Sequence, residues 1–208
     1  MQAPTILSRR AFGAMMLAST AAACTPRLSD EEAVPVPEEF VDGYGPIEDA
    51  GYRLPGIPSE YLQGVNRRVS GTYNGEQRGN TLDVDPYAKF LYHVRTDGTT
   101  TRYPVGVGRA GKSIRGSATI RIKRQWPGWT PTANMIKEDP DLSYMPPGPG
   151  NPLGTHAMYL SWPAYLIHGT HDTRKIGRRS SSGCIGLYNE QIAELFSRCP
   201  VGTQVRII

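Results

Sequence analysis

The chain has 208 residues, 38% of hydrophobic type, and its 23 glycines and 18 prolines approach a fifth of the whole. That mixture excludes a coiled coil or a plain helical bundle, and the length suits one enzyme-sized domain of short strands and turns. The net charge of +4 is unevenly spread: residues 25–60 carry nine acidic against two basic side chains, and residues 61–208 carry nineteen basic against ten acidic. No helix or module that reads nucleic acid accompanies the basic part, so nucleic acid is not an expected partner.

Residues 1–24 read as an address rather than as structure. Ser8-Arg9-Arg10-Ala11-Phe12 precedes an apolar run from Gly13 to Ala23, shorter than the roughly 20 residues that span a bilayer. The paired arginines resemble a twin-arginine signal, which points to the twin-arginine export machinery and a periplasmic location. Cys24 follows three alanines, as in a lipoprotein processing site, although Ala21 stands where a larger aliphatic residue is usual. It is either acylated as a lipid anchor, removed with the leader, or left as a thiol. Residues 25–60 are acidic and rich in proline and glycine. They read as a tether or an arm lying on the domain, with Tyr44, Ile47, Tyr52, Leu54 and Ile57 as anchoring contacts.

The domain proper is expected over residues 61–208. Thr81 to Arg95 holds a strand candidate, Asp97-Gly98 offers a tight turn, and Thr99 to Val107 supplies the returning strand. Ala118 to Lys123 alternates with one polar face. Residues 126–150, rich in proline, glycine and aromatics, are too long for a common connection. They are expected to be a covering loop with a helical turn near Ala133 to Lys137, and Trp126 and Trp129 are expected to pack in it. Ala157–Leu160 and Tyr165–His168 read as strands. Asn189 is expected to cap a helix striped by Ile192, Leu195 and Phe196, which Pro200 and Gly202 end before a last strand, Gln204–Ile208. His93 and His156 lie in strand segments without a paired carboxylate or Cys-x-x-Cys, so neither a metal nor a cofactor is expected.

Chemistry concentrates around Cys184. The run Ser180-Ser181-Ser182-Gly183-Cys184-Ile185-Gly186 is built of small residues, which lets consecutive amides converge on one point. Such amides lower a thiol's pKa and donate to an oxyanion. His168, at the end of an apolar strand, is the candidate base that takes the thiol proton and returns one to a leaving amine. Cys199 is expected as a partly buried thiol at the helix end. A Cys184–Cys199 disulfide would block the nucleophile and imply redox control.

His168-Gly169-Thr170, a spacer with Ile176-Gly177, and Ser181-Ser182-Gly183-Cys184-Ile185 together resemble the YkuD family of L,D-transpeptidases. Tyr103-Pro104-Val105-Gly106-Val107-Gly108, Asn151-Pro152-Leu153-Gly154 and Pro200-Val201-Gly202-Thr203 extend the likeness across residues 102–208, and more weakly back to about residue 81. The resemblance implies a mostly β, YkuD-like β-sandwich with a helix after the cysteine turn and a long loop covering the cleft. It implies that Cys184 attacks the carbonyl before D-alanine in a peptidoglycan stem tetrapeptide, with His168 as base and then acid. Gly169 would hold the imidazole through its carbonyl, and the amides of Gly183 and Cys184 would form the oxyanion hole. A second stem's amine would then take the acyl group as a 3→3 cross-link. β-Lactams, carbapenems above all, are implied inhibitors, and a monomer is expected.

Three residues depart from the family pattern. Ser182 replaces a histidine, Gly186 replaces an arginine, and His171 replaces an asparagine. Arg174, Arg178 or Arg179 would then have to supply the missing cation, with Ser181, Ser182 and His171 as further substrate contacts. Hydrolysis of the acyl-enzyme, its transfer to a protein amine, or wall binding with little turnover are the competing readings.

Overall fold

A computed structural model describes residues 43–63, 68–72, 79–108, 115–181 and 183–208. The leader, Cys24, the start of the acidic segment and Ser182 lie outside the described residues.

In chain order, a small antiparallel hairpin joins β1 (Ile47–Asp49) and β2 (Tyr52–Leu54), and a 3-10 turn follows at Ser59–Leu62. The domain continues with β3 (Val69–Thr72), β4 (Thr81–Asp85), β5 (Phe90–Val94), β6 (Thr99–Pro104), β7 (Val107–Gly108) and β8 (Gly116–Gln125). Helix α1 (Ala133–Glu138) lies in the long loop before β9 (His156–Leu160) and β10 (Leu166–His168). A 3-10 turn at Thr173–Lys175, β11 (Arg179–Ser181), β12 (Ile185–Gly186), α2 (Asn189–Arg198) and β13 (Gln204–Ile207) complete the order.

Nine strands form one sheet in the order β12-β10-β9-β8-β13-β4-β5-β6-β3, with β10/β12 and β13/β4 parallel and the other pairs antiparallel. Leu82, Val84, Leu91 and Tyr103 from one end share a core with Met158, Leu160, Ile167 and Ile185 from the other. A single sheet can bury both ends against each other only by curling, so the expected two-layered β architecture arises from one continuous sheet. The sheet turns at β8. The alternation that buries Ala118 and Ile120 breaks at a register shift between Ile120 and Ile122, and Ile122 is left exposed. Ile192 and Leu195 of α2 enter the same core, and full burial of such side chains contributes roughly 1.5–3 kcal/mol each.

The strand expected within Thr81 to Arg95 is β5, and β4 precedes it in the same stretch. Asp85 Oδ1 accepts hydrogen bonds from the amides of Tyr87 and Ala88, and Lys89 adopts φ +61°, which turns the chain between β4 and β5. Asp97-Gly98 makes the next turn as anticipated, with the Thr99 amide donating to Asp97 Oδ1 at 2.9 Å.

Asn189 does not cap α2, because Tyr188 holds that position. The buried Asn189 carboxamide instead accepts from the Thr155 amide at 3.1 Å and donates to the Thr170 carbonyl at 3.0 Å. It therefore ties the helix to the segments flanking β9 and β10. The described part of the acidic segment is ordered against the domain: Tyr44, Ile57 and Leu62 form a second cluster with Ile176 and Tyr188. Tyr52 stacks against Trp126, whose Nε1–H donates to Asp49 Oδ2 at 2.9 Å.

Candidate active site

Strand pairing brings the histidine and the cysteine together. β10 and β12 run parallel, with Ile167 opposite Ile185 and His168 opposite Gly186. Side chains alternate across a strand, so Ile167 and Ile185 enter the core while His168, Gly186 and the flanking Cys184 share the other face. That face opens into a pocket of about 240 Å³ lined by both His168 and Cys184. Apolar walls come from Trp129, Met135, Pro152, Leu153 and Ile176, with Thr170, His171 and Lys175 among the polar lining groups.

The turn before the nucleophile needs glycine. Gly183 adopts φ +139°, which side-chain-bearing residues rarely enter, and its backbone lies so close to Gly108 that a Cβ there would come within 2.7 Å of Gly183 Cα. Ala164, in the turn between β9 and β10, has φ +64°. Its carbonyl oxygen stands 3.8 Å from Cys184 Sγ.

His168 has a defined tautomer. Its Nδ1 is 2.5 Å from the Gly169 carbonyl oxygen, which can only accept, so Nδ1 carries the proton and Nε2 is left for proton exchange. Burial pushes the imidazole down to about 4 against the opposing pull of the Gly169 carbonyl, and the Lys175 charge adds to the depression. Burial likewise pushes the Cys184 thiol up to about 11, partly countered by a hydrogen bond from the Leu166 backbone. The lowered thiol pKa expected from the turn amides is thus corrected: desolvation outweighs them and favours a neutral thiol and a neutral imidazole at rest.

The remaining sequence candidates fall in different places. His171 sits at the pocket rim, where burial first and Lys175 second hold its imidazole below the ordinary value. Arg174 is exposed and gives its Nε–H to Asp172 Oδ1 at 2.8 Å. Arg178 and Arg179 are exposed, and the Arg179 guanidinium lies over the Tyr87 ring. Ser181 closes β11, and Ser182 lies outside the described residues. No disulfide joins Cys184 to Cys199, which is buried in the core, where desolvation pushes it up to about 12.

Sequence reasoning saw Lys175 only as one member of the basic run with Arg174, Arg178 and Arg179, and passed over the walls made by Met135 and Leu153. It treated Trp129 as packing, yet Trp129 lines the pocket, whereas Trp126 is buried under Tyr52. Membership of the long proline-rich loop was the available signal for Trp129 and Met135. A second, wider space of about 550 Å³ adjoins Cys184 on its other side, lined among others by Thr132, Asn134, Met135, Glu138, Trp162 and Tyr165. Among the described residues no cluster of histidine, cysteine, aspartate or glutamate is arranged to hold a metal ion.

Residues 79–207 match a family model, YkuD, described as the L,D-transpeptidase catalytic domain. A Fuscovulum blasticum protein named as an L,D-transpeptidase, from its ATP synthase subunits region, is 44% identical over 206 residues, covering 97% of this chain and 98% of its own length. The Escherichia coli protein named as the L,D-transpeptidase ErfK/SrfK is 40% identical over 126 residues, covering 57% of this chain but 40% of that longer protein. Among solved structures, an Enterococcus faecium L,D-transpeptidase superposes with a TM-score of 0.51 at 16% identity, over 63% of this chain and 50% of that one. At that identity the likeness speaks for the fold alone.

Proposed function

The chain belongs to the YkuD family of L,D-transpeptidase catalytic domains, and from that premise we propose that it cross-links peptidoglycan stems through a thioester on Cys184. The acyl donor is a tetrapeptide stem. Cys184 Sγ attacks the carbonyl between the diamino acid and the terminal D-alanine, and the thiol proton passes to His168 Nε2. The carbonyl oxygen becomes an oxyanion, held by the amides of Gly183 and Cys184. His168 then gives its proton to the departing D-alanine amine, the C–N bond breaks, and a thioester remains. The side-chain amine of a second stem attacks that thioester, gives up a proton through His168, and leaves a 3→3 amide link with the thiol restored. The energy of the first amide is kept in the thioester, so the exchange needs no nucleotide.

The observation that carries this reading is the β10–β12 register, which sets His168 and Cys184 on one face of the sheet and into one pocket. The neutral resting pair adds a feature of timing. With the imidazole near 4 and the thiol near 11, an ion pair is disfavoured before substrate arrives, so proton transfer accompanies attack. A strained lactam carbonyl offers the same electrophile, so β-lactams, and carbapenems in particular, acylate Cys184 in this reading. The Arg9-Arg10 leader supports export through the twin-arginine machinery to the periplasm, where the wall substrate lies.

The test is product analysis with purified muropeptides. Cross-linked dimers with release of D-alanine, lost in Cys184→Ala, are the expected result. Shortened monomers alone would indicate hydrolysis, and products unchanged in Cys184→Ala would remove the enzymatic assignment.

A further inference from the structure

Beyond the pocket, the sheet continues from Cys184 across β10, β9 and β8, and alternation decides which side chains that face presents. Lys123 of β8 reaches the opposite face, where its ammonium donates to the Phe196 carbonyl of α2 and lies over the Phe196 ring. His156 packs on the same ring with centroids 4.6 Å apart, and Met158 and Ile167 join Ile192 and Leu195 in the core. Their neighbours in sequence therefore share the face of His168. These are Ile122 and Arg124 of β8, Ala157 and Tyr159 of β9, and Leu166 of β10.

The register sets them in two rows. Ile122 pairs with Tyr159 and Tyr159 with Leu166, whose backbone hydrogen-bonds Cys184. Arg124 pairs with Ala157, Ala157 with His168, and His168 with Gly186. Arg124 is thus the diagonal neighbour of Tyr159, a separation of about 7–8 Å that a long side chain bridges. The phenol senses both ends of this surface: burial raises its pKa, the Arg124 charge counters the rise, and Cys184 adds to it. Tyr159 and Leu166 are half-buried, and Ile122 and Arg124 are exposed. The result is a strip with apolar flanks and one guanidinium, continuous with the nucleophile.

We propose that Arg124, beside Tyr159, binds the free α-carboxylate of the acidic residue that precedes the diamino acid in the acyl donor, and so holds the stem across β10 and β9. The proposal rests on the acyl-transfer reading above and adds to it a subsite on the acyl side of the attacked bond. Tyr159 stands two strand spacings from Cys184, roughly 10 Å, which extended peptide covers in about three residues. In a stem the acidic residue is a glutamate joined through its side-chain carboxyl. That link is longer than an ordinary peptide unit and leaves the α-carboxylate unreacted, so the charge falls within reach of Arg124. A guanidinium takes a carboxylate through two parallel N–H donors. The Tyr159 phenol, kept protonated by burial, offers an O–H beside it. Ile122 and Leu166 supply apolar surface for the stem's methylenes.

The experiment compares a tetrapeptide donor carrying that α-carboxylate with the same peptide carrying a carboxamide at that one position, using wild type, Arg124→Gln and Arg124→Lys. Wild type is expected to favour the carboxylate by roughly 3- to 10-fold in kcat/KM, between the worth of an exposed ion pair and that of a hydrogen bond to a charged group. Arg124→Gln brings the ratio to about one, chiefly through KM, and Arg124→Lys restores part of it. A merely structural role for Arg124 would slow both donors alike and leave the ratio intact, which would overturn the proposal. Equal use of the two peptides by wild type would overturn it as well, with the acyl-transfer reading still standing. Wild-type enzyme that consumes neither peptide would overturn that reading itself, and this proposal with it.

Discussion

The two spaces flanking Cys184 are built differently. The smaller, about 240 Å³, is fixed by strand pairing and carries His168 and Lys175 within apolar walls. The larger, about 550 Å³, lies between strand residues Val84, Val107, Ile185 and Ile207 on one hand and α1 with the turn between β9 and β10 on the other, with Glu138, Trp162 and Tyr165 on its surface. Met135 belongs to both. The contrast follows the demands of acyl transfer. In the proposed reaction, proton exchange tolerates little displacement and His168 sits on a paired strand, whereas an acceptor would need the room that the larger space provides.

The sharpest way to break this division is His168→Gln. Removing a general base costs roughly 10²- to 10⁴-fold, so stem turnover should fall by that factor while melting temperature changes little. An activity loss below about tenfold, measured by steady-state kinetics, would move the base to another group.

Acid stability separates burial from catalysis. His93, buried in the far half of the sheet with its Nε2 2.9 Å from Asn80 Oδ1, is pushed down to about 4 by desolvation, as is His168. Both are neutral in the fold but take a proton when unfolded below about 6.5, so folding stability falls as pH drops from 6.5 towards 4, each contributing roughly 3 kcal/mol. Burial raises Glu190 to about 7, which works in the opposite direction over the same window, whereas the lowered imidazoles of His156 and His171 add to the decline. Chemical denaturation between pH 7 and 4 should show the decline, and His93→Gln should flatten it. An unchanged slope in that variant would mean that His93 titrates normally in the fold.

The pH profile of acylation sharpens the account of the smaller pocket. A neutral thiol–imidazole pair persists between the two shifted values, so the second-order rate constant for carbapenem acylation should vary less than about threefold from pH 6 to 9. A profile titrating near neutrality would indicate a resting ion pair instead. The smallest effect belongs to the larger space. Glu138→Gln should change acceptor KM by less than about threefold, because Glu138 is exposed and its field is screened by solvent.

Elements with strong local periodicity were legible in the sequence: the Asp97-Gly98 hairpin, the strand ending at His168 and the apolar stripe of α2. The candidate nucleophile and base were suggested weakly by residue type and chiefly by the resemblance to the YkuD family. What escaped depended on three-dimensional competition. Asn189 reads as a helix cap by type, but two backbone groups from separate loops claim its amide. A thiol among turn amides suggests a depressed pKa, but the extent of desolvation is set by the walls of a pocket distributed over the chain. Lys175 was hidden in a run of four cations, and its place in the lining of the His168–Cys184 pocket distinguishes it from the exposed Arg174.

Intact-mass analysis of the acyl-enzyme tests the central claim most directly, with the core thiol Cys199 as an internal control. Incubation with a carbapenem should give one adduct per chain, mapped to Cys184 and absent from Cys184→Ala, with Cys199 unmodified. No adduct on the folded, reduced protein, or an adduct that persists in Cys184→Ala, would contradict it.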